Sequence, residues 1–239
     1  ELADAPTTPS LEMDSKGEVI VFLFSNRYKS ITELSEKELR LGGLRINPVT
    51  NISSRQRYYS DIKVRNGRFS EEISIQGLPE NARIANFSFS PDEKMAAFTN
   101  TTNSGVELWL LDLKNASARP LTTAVLNANS GRPYIWFRDG KTLLAKFLSS
   151  DRKDLIDTQS AVPVGPTVSV SEMGVKAQNR TYQDLLKNPA DEHNFEQLLL
   201  SQLYVINLDG SSRLWKNSAM YRGMSFSPDG NYILITEVQ

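Results

Sequence analysis

Short apolar runs separated by polar turns recur along the chain. Residues 84–99 read Ile-Ala-Asn-Phe-Ser-Phe-Ser-Pro-Asp-Glu-Lys-Met-Ala-Ala-Phe-Thr, which places two apolar runs on either side of a Pro-Asp turn. The pattern returns at 223–236, and a looser copy with Asp139-Gly140 at its turn lies at 134–147. Proline presets the first turn angle, aspartate bonds nearby amides and glycine accepts a positive φ. Each copy therefore predicts a β-hairpin.

Further strands follow these hairpins, so the predicted repeating unit has four strands. The turn residues Asp92 and Asp139 are separated by about one propeller-blade period, roughly 40 to 50 residues. We predict an all-β fold: an incomplete β-propeller, residues 1–239, of about three to four blades of four-stranded antiparallel sheet. The predicted blades lie near residues 9–80, 81–123, 132–216 and 220–239.

Two long excursions interrupt the strand pattern. The first, near residues 25–57, contains a Ser35/Glu38 pair typical of a capping box and predicts a helix around 32–40. The second, residues 149–199, predicts short helices at 181–187 and 191–200, and long ordered loops of this kind are often functional. Without the two excursions, roughly three and a half blades remain, whereas closed propellers have four or more. We therefore expect the first part of a longer propeller, with no C-terminal hydrolase domain in this chain.

Composition excludes several functions. The chain has 27 basic and 28 acidic residues and a pI near 6.0, so it lacks the positive excess of a nucleic-acid-binding surface. It has no cysteine, and no apolar run approaches the ~18 residues of a membrane span. It also opens without a basic and apolar leader, so either a leader was removed or the chain begins inside a larger gene. We expect no nucleic-acid partner and no membrane span.

Catalytic and metal-binding patterns are missing from the sequence. A nucleophilic serine usually lies in a Gly-x-Ser-x-Gly elbow and needs a histidine, but no elbow occurs here. The single histidine, His193, lies in an acidic helical stretch that favours a solvated surface role. Ser90 and Ser227 precede turn prolines and favour a structural role. We predict no catalytic, cofactor-binding or metal-binding residues, no cofactor, and no activity for this chain alone.

Ligand contact is predicted for two residues of the second excursion, Arg180 and Tyr182. An arginine can recognise a carboxylate through paired donors, although any surface arginine looks the same in sequence. Three tryptophans, Trp109, Trp136 and Trp215, recur at similar strand positions and are interpreted as packing between blades.

Several motifs resemble the amino-terminal part of the glutamyl peptidases of the prolyl-oligopeptidase family, which has chloroplast and exported bacterial members. The matching stretches are Ala3-Asp-Ala-Pro6, Glu38-Leu-Arg-Leu-Gly-Gly-Leu-Arg-Ile-Asn-Pro48, Gly77-Leu-Pro79 with Phe87-Ser-Phe-Ser-Pro-Asp92, Arg180-Thr-Tyr-Gln-Asp-Leu-Leu-Lys187, and Ser201-Gln-Leu203 with Leu208-Asp-Gly210. The resemblance implies a parent enzyme in which a propeller caps an α/β-hydrolase domain that cleaves short peptides after acidic residues.

Two functions from different classes follow. The first is a non-catalytic propeller segment of such a serine peptidase, acting as gate and substrate-selecting cover, with peptide substrate and the hydrolase domain as partners. The alternative is a stand-alone periplasmic propeller-type scaffold that binds proteins. A periplasmic or secreted location is expected in either case, and open propeller edges predict self-association.

Overall fold

A computed structural model describes residues 7–67, 69–157 and 184–239. Antiparallel strands dominate these ranges, and two α-helices lie in the excursions. The helices are Ile31–Ser35 (α1) and Pro189–Leu199 (α2). In chain order the strands are Ser10–Met13 (β1), Val19–Phe24 (β2), Leu39–Leu41 (β3), Leu44–Asn47 (β4), Ile52–Ser53 (β5), Asp61–Asn66 (β6), Ile73–Ser74 (β7), Ile84–Phe89 (β8), Met95–Thr101 (β9), Val106–Asp112 (β10), Ser117–Pro120 (β11), Tyr134–Trp136 (β12), Thr142–Leu148 (β13), Ser201–Asn207 (β14), Ser212–Ala219 (β15), Tyr221–Phe226 (β16) and Ile233–Glu237 (β17).

Three four-stranded antiparallel sheets follow one another along the chain. Blade 1 has the order β1-β2-β6-β7, blade 2 contains β8 to β11, and blade 3 contains β12 to β15. The β16-β17 hairpin is the described part of blade 4. Consecutive four-stranded sheets of this kind are the blades of a propeller. The predicted fold class, an incomplete propeller with short helices in its excursions, is confirmed.

The two central strands of blade 2 are buried on both faces. Ala97 of β9 and Leu108 of β10 pack toward blade 3, in a cluster with Tyr134 and Leu143. The alternate residues Phe98 and Trp109 pack toward blade 1, and their rings stack with centroids 6.0 Å apart. Because side chains alternate between the faces of a strand, blade 2 contributes to two cores and depends on both of its neighbours.

The predicted turn chemistry is confirmed in three hairpins. Asp139 accepts hydrogen bonds from the Lys141 and Thr142 amides at 2.8 and 3.0 Å. Gly140 has a φ of 63°, and the equivalent residue in the blade 4 hairpin, Gly230, has 75°. In blade 2 the same position is Glu93, with a φ of 56°, a conformation that side chains other than glycine rarely adopt.

Glu93 occupies this unfavourable conformation while linking two blades. Its carboxylate accepts hydrogen bonds from the Ser15 amide at 2.8 Å and the Ser15 hydroxyl at 2.7 Å. The hairpin turns of blades 2 and 3 also lie close together, because a Cβ on Gly140 would be 3.1 Å from an Asp92 carboxylate oxygen. The hairpin turns therefore form one continuous row at one end of the blades.

The excursions lie at the opposite end of the blades from this row. Successive strands of a blade run antiparallel, so the connections alternate between its two ends. The first excursion joins β2 to β6, and the second joins β13 to β14, so both follow the second strand of a blade. The connector at 121–133, between blades 2 and 3, reaches the same end. We call this end the insertion face.

Three predictions from the sequence were wrong in detail. The helix predicted at 32–40 ends at Ser35 and uses Ser30 and Glu33 as its capping box. Residues 39–41 form β3 instead, because Gly42 and Gly43, both at positive φ, turn the chain into a hairpin with β4.

For the helix predicted at 181–187, residues 184–187 are not helical, and 181–183 lie outside the described residues. The second predicted helix is confirmed as α2, which begins earlier, at Pro189, with Asn188 as its N-cap. The tryptophans are not equivalent: Trp109, Trp136 and Trp215 lie in the third, first and fourth strands of their blades, and Trp215 is 36% exposed.

Candidate functional site

The two excursions pack against each other on the insertion face. The first forms a three-stranded sheet, β3-β4-β5, and the second contributes α2. Leu41 and Ile46 of this sheet are buried against Leu198 and Leu199 of α2. A Cβ on Gly42 would lie only 2.6 Å from the ring of Phe195, so a residue larger than glycine would not fit there without a shift.

An ion pair joins the same two excursions. Arg45 Nε donates to Asp184 at 2.9 Å, and the Asp184 carbonyl accepts from the Gly43 amide at 3.1 Å. Arg45 also contacts Glu38 at 3.1 Å. Both ends of this link lie in stretches that carried the family resemblance, residues 38–48 and 180–187. These two motifs therefore meet in space, although the chain between them is long.

Glu38 is the acceptor for several donors on this face. The Ser54 hydroxyl donates to it at 2.5 Å, and Arg40, Arg45 and Arg55 lie within 3.4 Å. The Ser54 bond does most to lower the pKa of the Glu38 carboxyl to about 2, and the guanidinium groups add to it against an opposing effect of burial. Glu38 is thus a structural anion and not a general acid.

Buried asparagines connect the excursions to the connector between blades 2 and 3. Asn127 Nδ2 donates to the Leu198 carbonyl at 2.9 Å and to the Ser201 hydroxyl at 3.0 Å. Asn129 Nδ2 donates to the same Leu198 carbonyl at 2.8 Å. The amide of Ala128, between them, donates to the Asn51 carbonyl at 2.9 Å. This network attaches the end of α2 and the start of β5 to the connector at 121–133.

A cleft of about 1140 Å³ opens where α1 and the loop before it meet the start of blade 2. We call it the α1 cleft. Its volume is above the usual range for small-ligand sites, about 300–1,000 Å³. The described residues that line it are Thr7, Ser25, Asn26, Arg27, Tyr28, Lys29, Ser30, Thr32, Glu33, Leu34, Glu36, Arg57, Tyr58, Tyr59, Ser60, Pro79, Asn81, Ala82, Arg83 and Asn103.

The wall of the α1 cleft is held by an arginine between an acid and an aromatic ring. Arg83 bonds both oxygens of Glu36, at 2.9 and 3.2 Å, and its guanidinium lies 4.6 Å from the centre of the Tyr58 ring. Burial lowers the pKa of Arg83, but the Glu36 carboxylate and Tyr58 more than offset it, so the net pKa lies above its usual value. Arg83 is therefore a fixed cation of the wall.

The remaining charge in the cleft is predominantly positive. The described lining has four basic side chains against two acidic ones. Both acids are engaged: Glu36 by Arg83, and Glu33 by the amide and hydroxyl of Ser30 at 2.8 and 3.0 Å. Lys29 Nζ donates to a neutral carbonyl, that of Ser54, at 2.9 Å. Exposed Arg57 has no ion pair within the described ranges.

The residues predicted to contact ligand, Arg180 and Tyr182, lie outside the described residues. His193 is partly exposed on α2, with Nε2 3.0 Å from the Asp154 carbonyl. Ser90 and Ser227 donate to the turn carboxylates two residues further on. In the part of the chain that the structure describes, no group of acidic or histidine side chains is placed to hold a metal, and no helix is long and apolar enough to cross a membrane.

Sequence reasoning did not find the α1 cleft. In sequence, the basic residues at 55–57 have the mixed-charge surroundings typical of a solvated surface, and Arg83 lies in a connector without a recognisable motif. A usable signal was present in the basic and aromatic residues of the first excursion, Arg27, Tyr28, Lys29, Arg57 and Tyr58. The position of these residues beside blade 2, however, depends on long-range packing.

The sheets and the insertion face define an open segment of a β-propeller with two packed excursions. No family model matches the chain. The sequence is 30% identical to a protein of Arabidopsis thaliana and 28% identical to one of Oryza sativa subsp. japonica, both named as probable chloroplastic glutamyl endopeptidases. Each match covers 100% of this chain but 26% of the relative, so the chain spans about a quarter of these proteins. The resemblance to glutamyl peptidases is confirmed.

A solved propeller domain is among the structures to which the chain was matched. The propeller domain of the trilobed protease from Pyrococcus furiosus, described as having an open velcro topology, matches 97% of this chain and 64% of its own. Its sequence identity is 17% and the TM-score is 0.36. The assignment of the fold here depends on the strand order of the blades themselves.

Proposed function

We propose that the chain is the propeller segment of a serine peptidase that cleaves peptides after acidic residues. The observation that carries the proposal is the match over the whole chain to two proteins named as glutamyl endopeptidases. The motifs responsible are not confined to general propeller turns, because they include the excursions that pack together on the insertion face. A segment of this kind contributes selection of substrate, and the cleavage chemistry belongs to another part of the protein.

The insertion face supports a role as gate and substrate-selecting cover. Both excursions lie at this end, and among the described residues they are linked by the Arg45–Asp184 ion pair, a backbone hydrogen bond, a 2.8 Å hydrogen bond from Arg152 to Asn51 and an apolar cluster. Partly exposed ion pairs contribute little to stability, about 1 kcal/mol or less. The ion pair is therefore a weak part of a link whose buried apolar cluster must also separate when the cover opens, and its loss shifts the balance toward the open state.

The activity is tested with the full-length product of the gene. Blocked chromogenic peptides that differ only by Glu, Gln or Lys before the scissile bond are compared. We expect cleavage after Glu, at least tenfold faster than after Gln, and none by the 239-residue chain alone. Absence of hydrolysis, or equal rates for the three peptides, would contradict the proposal and would favour the scaffold alternative.

The gate is tested by weakening the link in the full-length protein. Asp184→Asn removes the charge facing Arg45, and Asp154→Asn, an exposed aspartate of the same excursion, is the matched control. We expect Asp184→Asn to raise kcat/KM for long peptides relative to short ones, because the cover opens more readily. An unchanged ratio of long to short substrates, or the same change in the control, would refute a gating role for this link.

A further inference from the structure

We infer that the α1 cleft binds an acidic peptide segment, with Arg57 and Lys29 taking its carboxylate and Tyr28 and Leu34 holding an adjacent apolar side chain. This inference rests on the proposed function and assigns a specificity site within it. It concerns the propeller itself, so it can be tested without the cleavage reaction.

Unneutralised charge is the first argument. Glu36 is ion-paired with Arg83, and Glu33 keeps its charge but bonds the amide and hydroxyl of Ser30, so neither acid forms an ion pair with Lys29 or Arg57 in the described lining. Lys29 uses one of its three donors on the Ser54 carbonyl. Arg57 carries five donors in a planar fork that matches a carboxylate. A carboxylate entering the cleft therefore meets donors that the folded chain has not already used.

An exposed apolar lip is the second argument. Tyr28 is 73% exposed and Leu34 is 71% exposed, and both line the cleft. Leu34 is held in α1, which is closed by its own capping box, and donates its amide to the Ser30 carbonyl at 3.1 Å; Tyr28 lies in the loop just before it. Large apolar side chains held at the rim of a charged cleft are typical of a binding surface. The complementary ligand carries a negative charge beside an apolar group.

The size and rigidity of the cleft complete the argument. A volume of about 1140 Å³ accommodates a peptide segment more readily than a small ion. One wall of the cleft is fixed by the bidentate Arg83–Glu36 pair, which Asn47 supports with a 2.7 Å hydrogen bond to Glu36. Because this wall is already organised, binding does not require it to rearrange.

The test is direct binding of labelled peptides to the 239-residue chain, measured by fluorescence anisotropy. The peptides are blocked at both ends and carry either Glu-Leu or Gln-Leu at the centre, so that one side-chain charge distinguishes them. We expect the Glu peptide to bind about tenfold more tightly than the Gln peptide, since a hydrogen bond to a charged group contributes about that factor. Raising the salt concentration should reduce this preference.

Variants then locate the contact. Arg57→Ala should bring the two peptides within about twofold of each other, and Arg57→Lys should retain part of the preference. The matched control is Arg55→Ala, because Arg55 is an exposed arginine of the same segment that contacts Glu38 and does not line the cleft. Leu34→Ser should weaken both peptides equally while leaving the preference for Glu intact.

Several results would overturn the inference. These are equal binding of the two peptides by the unmodified chain, a loss with Arg55→Ala as large as with Arg57→Ala, and a preference for the Glu peptide that Arg57→Ala leaves unchanged. If the full-length protein cleaves after Glu while Arg57→Ala binds the Glu peptide as tightly as the unmodified chain, the α1 cleft is not the binding site, and the proposed function is unaffected. If binding depends on Arg57 but the full-length protein cleaves no peptide, the α1 cleft stands as a binding site and the proposed function is refuted.

Discussion

Lys146 offers a test of the packing between blades 3 and 4. It is 1% exposed, and its ammonium group donates to the carbonyls of Ser130 and Tyr221. Burial lowers the pKa of Lys146 from 10.5 to about 8, because the charged form is removed from water. The neutral variant Lys146→Met keeps most of the side-chain volume and removes the titration.

The sign of the effect follows from which state binds the proton. Below about pH 8 the Lys146 amine is protonated in both the folded and the unfolded state, and burial of this charge destabilises the folded state. Between about pH 8 and pH 10.5 the folded state releases the proton while the unfolded state keeps it, so the free energy of unfolding rises with pH. The difference between the two pKa values corresponds to about 3 kcal/mol in full, of which about 2 kcal/mol is reached by pH 9.5.

The assay is urea unfolding followed by fluorescence of the buried tryptophans, at pH 7 and 9.5. The free energy of unfolding of the unmodified chain should rise by about 2 kcal/mol relative to that of Lys146→Met over this pH interval. Other groups that titrate in the same range cancel in the comparison. Lys141→Met, at an exposed lysine in a hairpin of the same blade, is the control and should run parallel to the unmodified chain. If the free energy of unfolding of Lys146→Met changes with pH as that of the unmodified chain does, the lysine is not buried between the blades.

Three further outcomes are expected. Tyr134→Phe removes a hydroxyl that donates to the Ala97 carbonyl at 2.7 Å between blades 2 and 3, and should lower the free energy of unfolding by about 1–2 kcal/mol, whereas Tyr232→Phe, at an exposed tyrosine, should change it by less than about 0.5 kcal/mol. Glu38→Gln should lower the free energy of unfolding by about 1 kcal/mol at pH 7, after allowance for solvent screening. This loss should disappear as the pH falls from 4.5 toward about 2, because the carboxyl keeps its charge to lower pH in the folded state than in the unfolded state. A difference in urea unfolding that stays constant over this pH range would contradict this. The 239-residue chain should self-associate in light scattering through strand β17, and Leu234→Lys should reduce this; a monomer at every concentration would exclude it.

The blades were predictable because their signal is local. Alternating apolar strands and the Pro-Asp and Asp-Gly turns specify each hairpin without reference to the rest of the chain, as at Asp139 and Gly140. The excursions were predicted as interruptions but not in their structure. Glu38 matched a helix cap in sequence, yet its partners Ser54 and Arg45 lie in other segments, and long-range contacts of that kind leave no periodic pattern.

The candidate site shows the same division more sharply. Arg57 and Tyr28 occur in stretches that read as ordinary polar surface, and their shared cleft exists only because the first excursion folds beside blade 2. The length of the second excursion led to the prediction of ligand contact at Arg180 and Tyr182, which lie outside the described residues. Asp184, in the same motif, contacts Arg45 and not the α1 cleft.

The asparagines of the 121–133 connector have a consequence for synthesis of the chain. Asn127 and Asn129 are buried, and both donate to the carbonyl of Leu198, which leaves the ribosome much later. Domains generally fold from the N-terminus as they emerge, so these amides remain exposed to water until α2 has been made. A ribosome stalled before α2 would therefore carry completed sheets of blades 1 and 2 beneath an unfinished insertion face, a state that limited proteolysis of the nascent chain can detect.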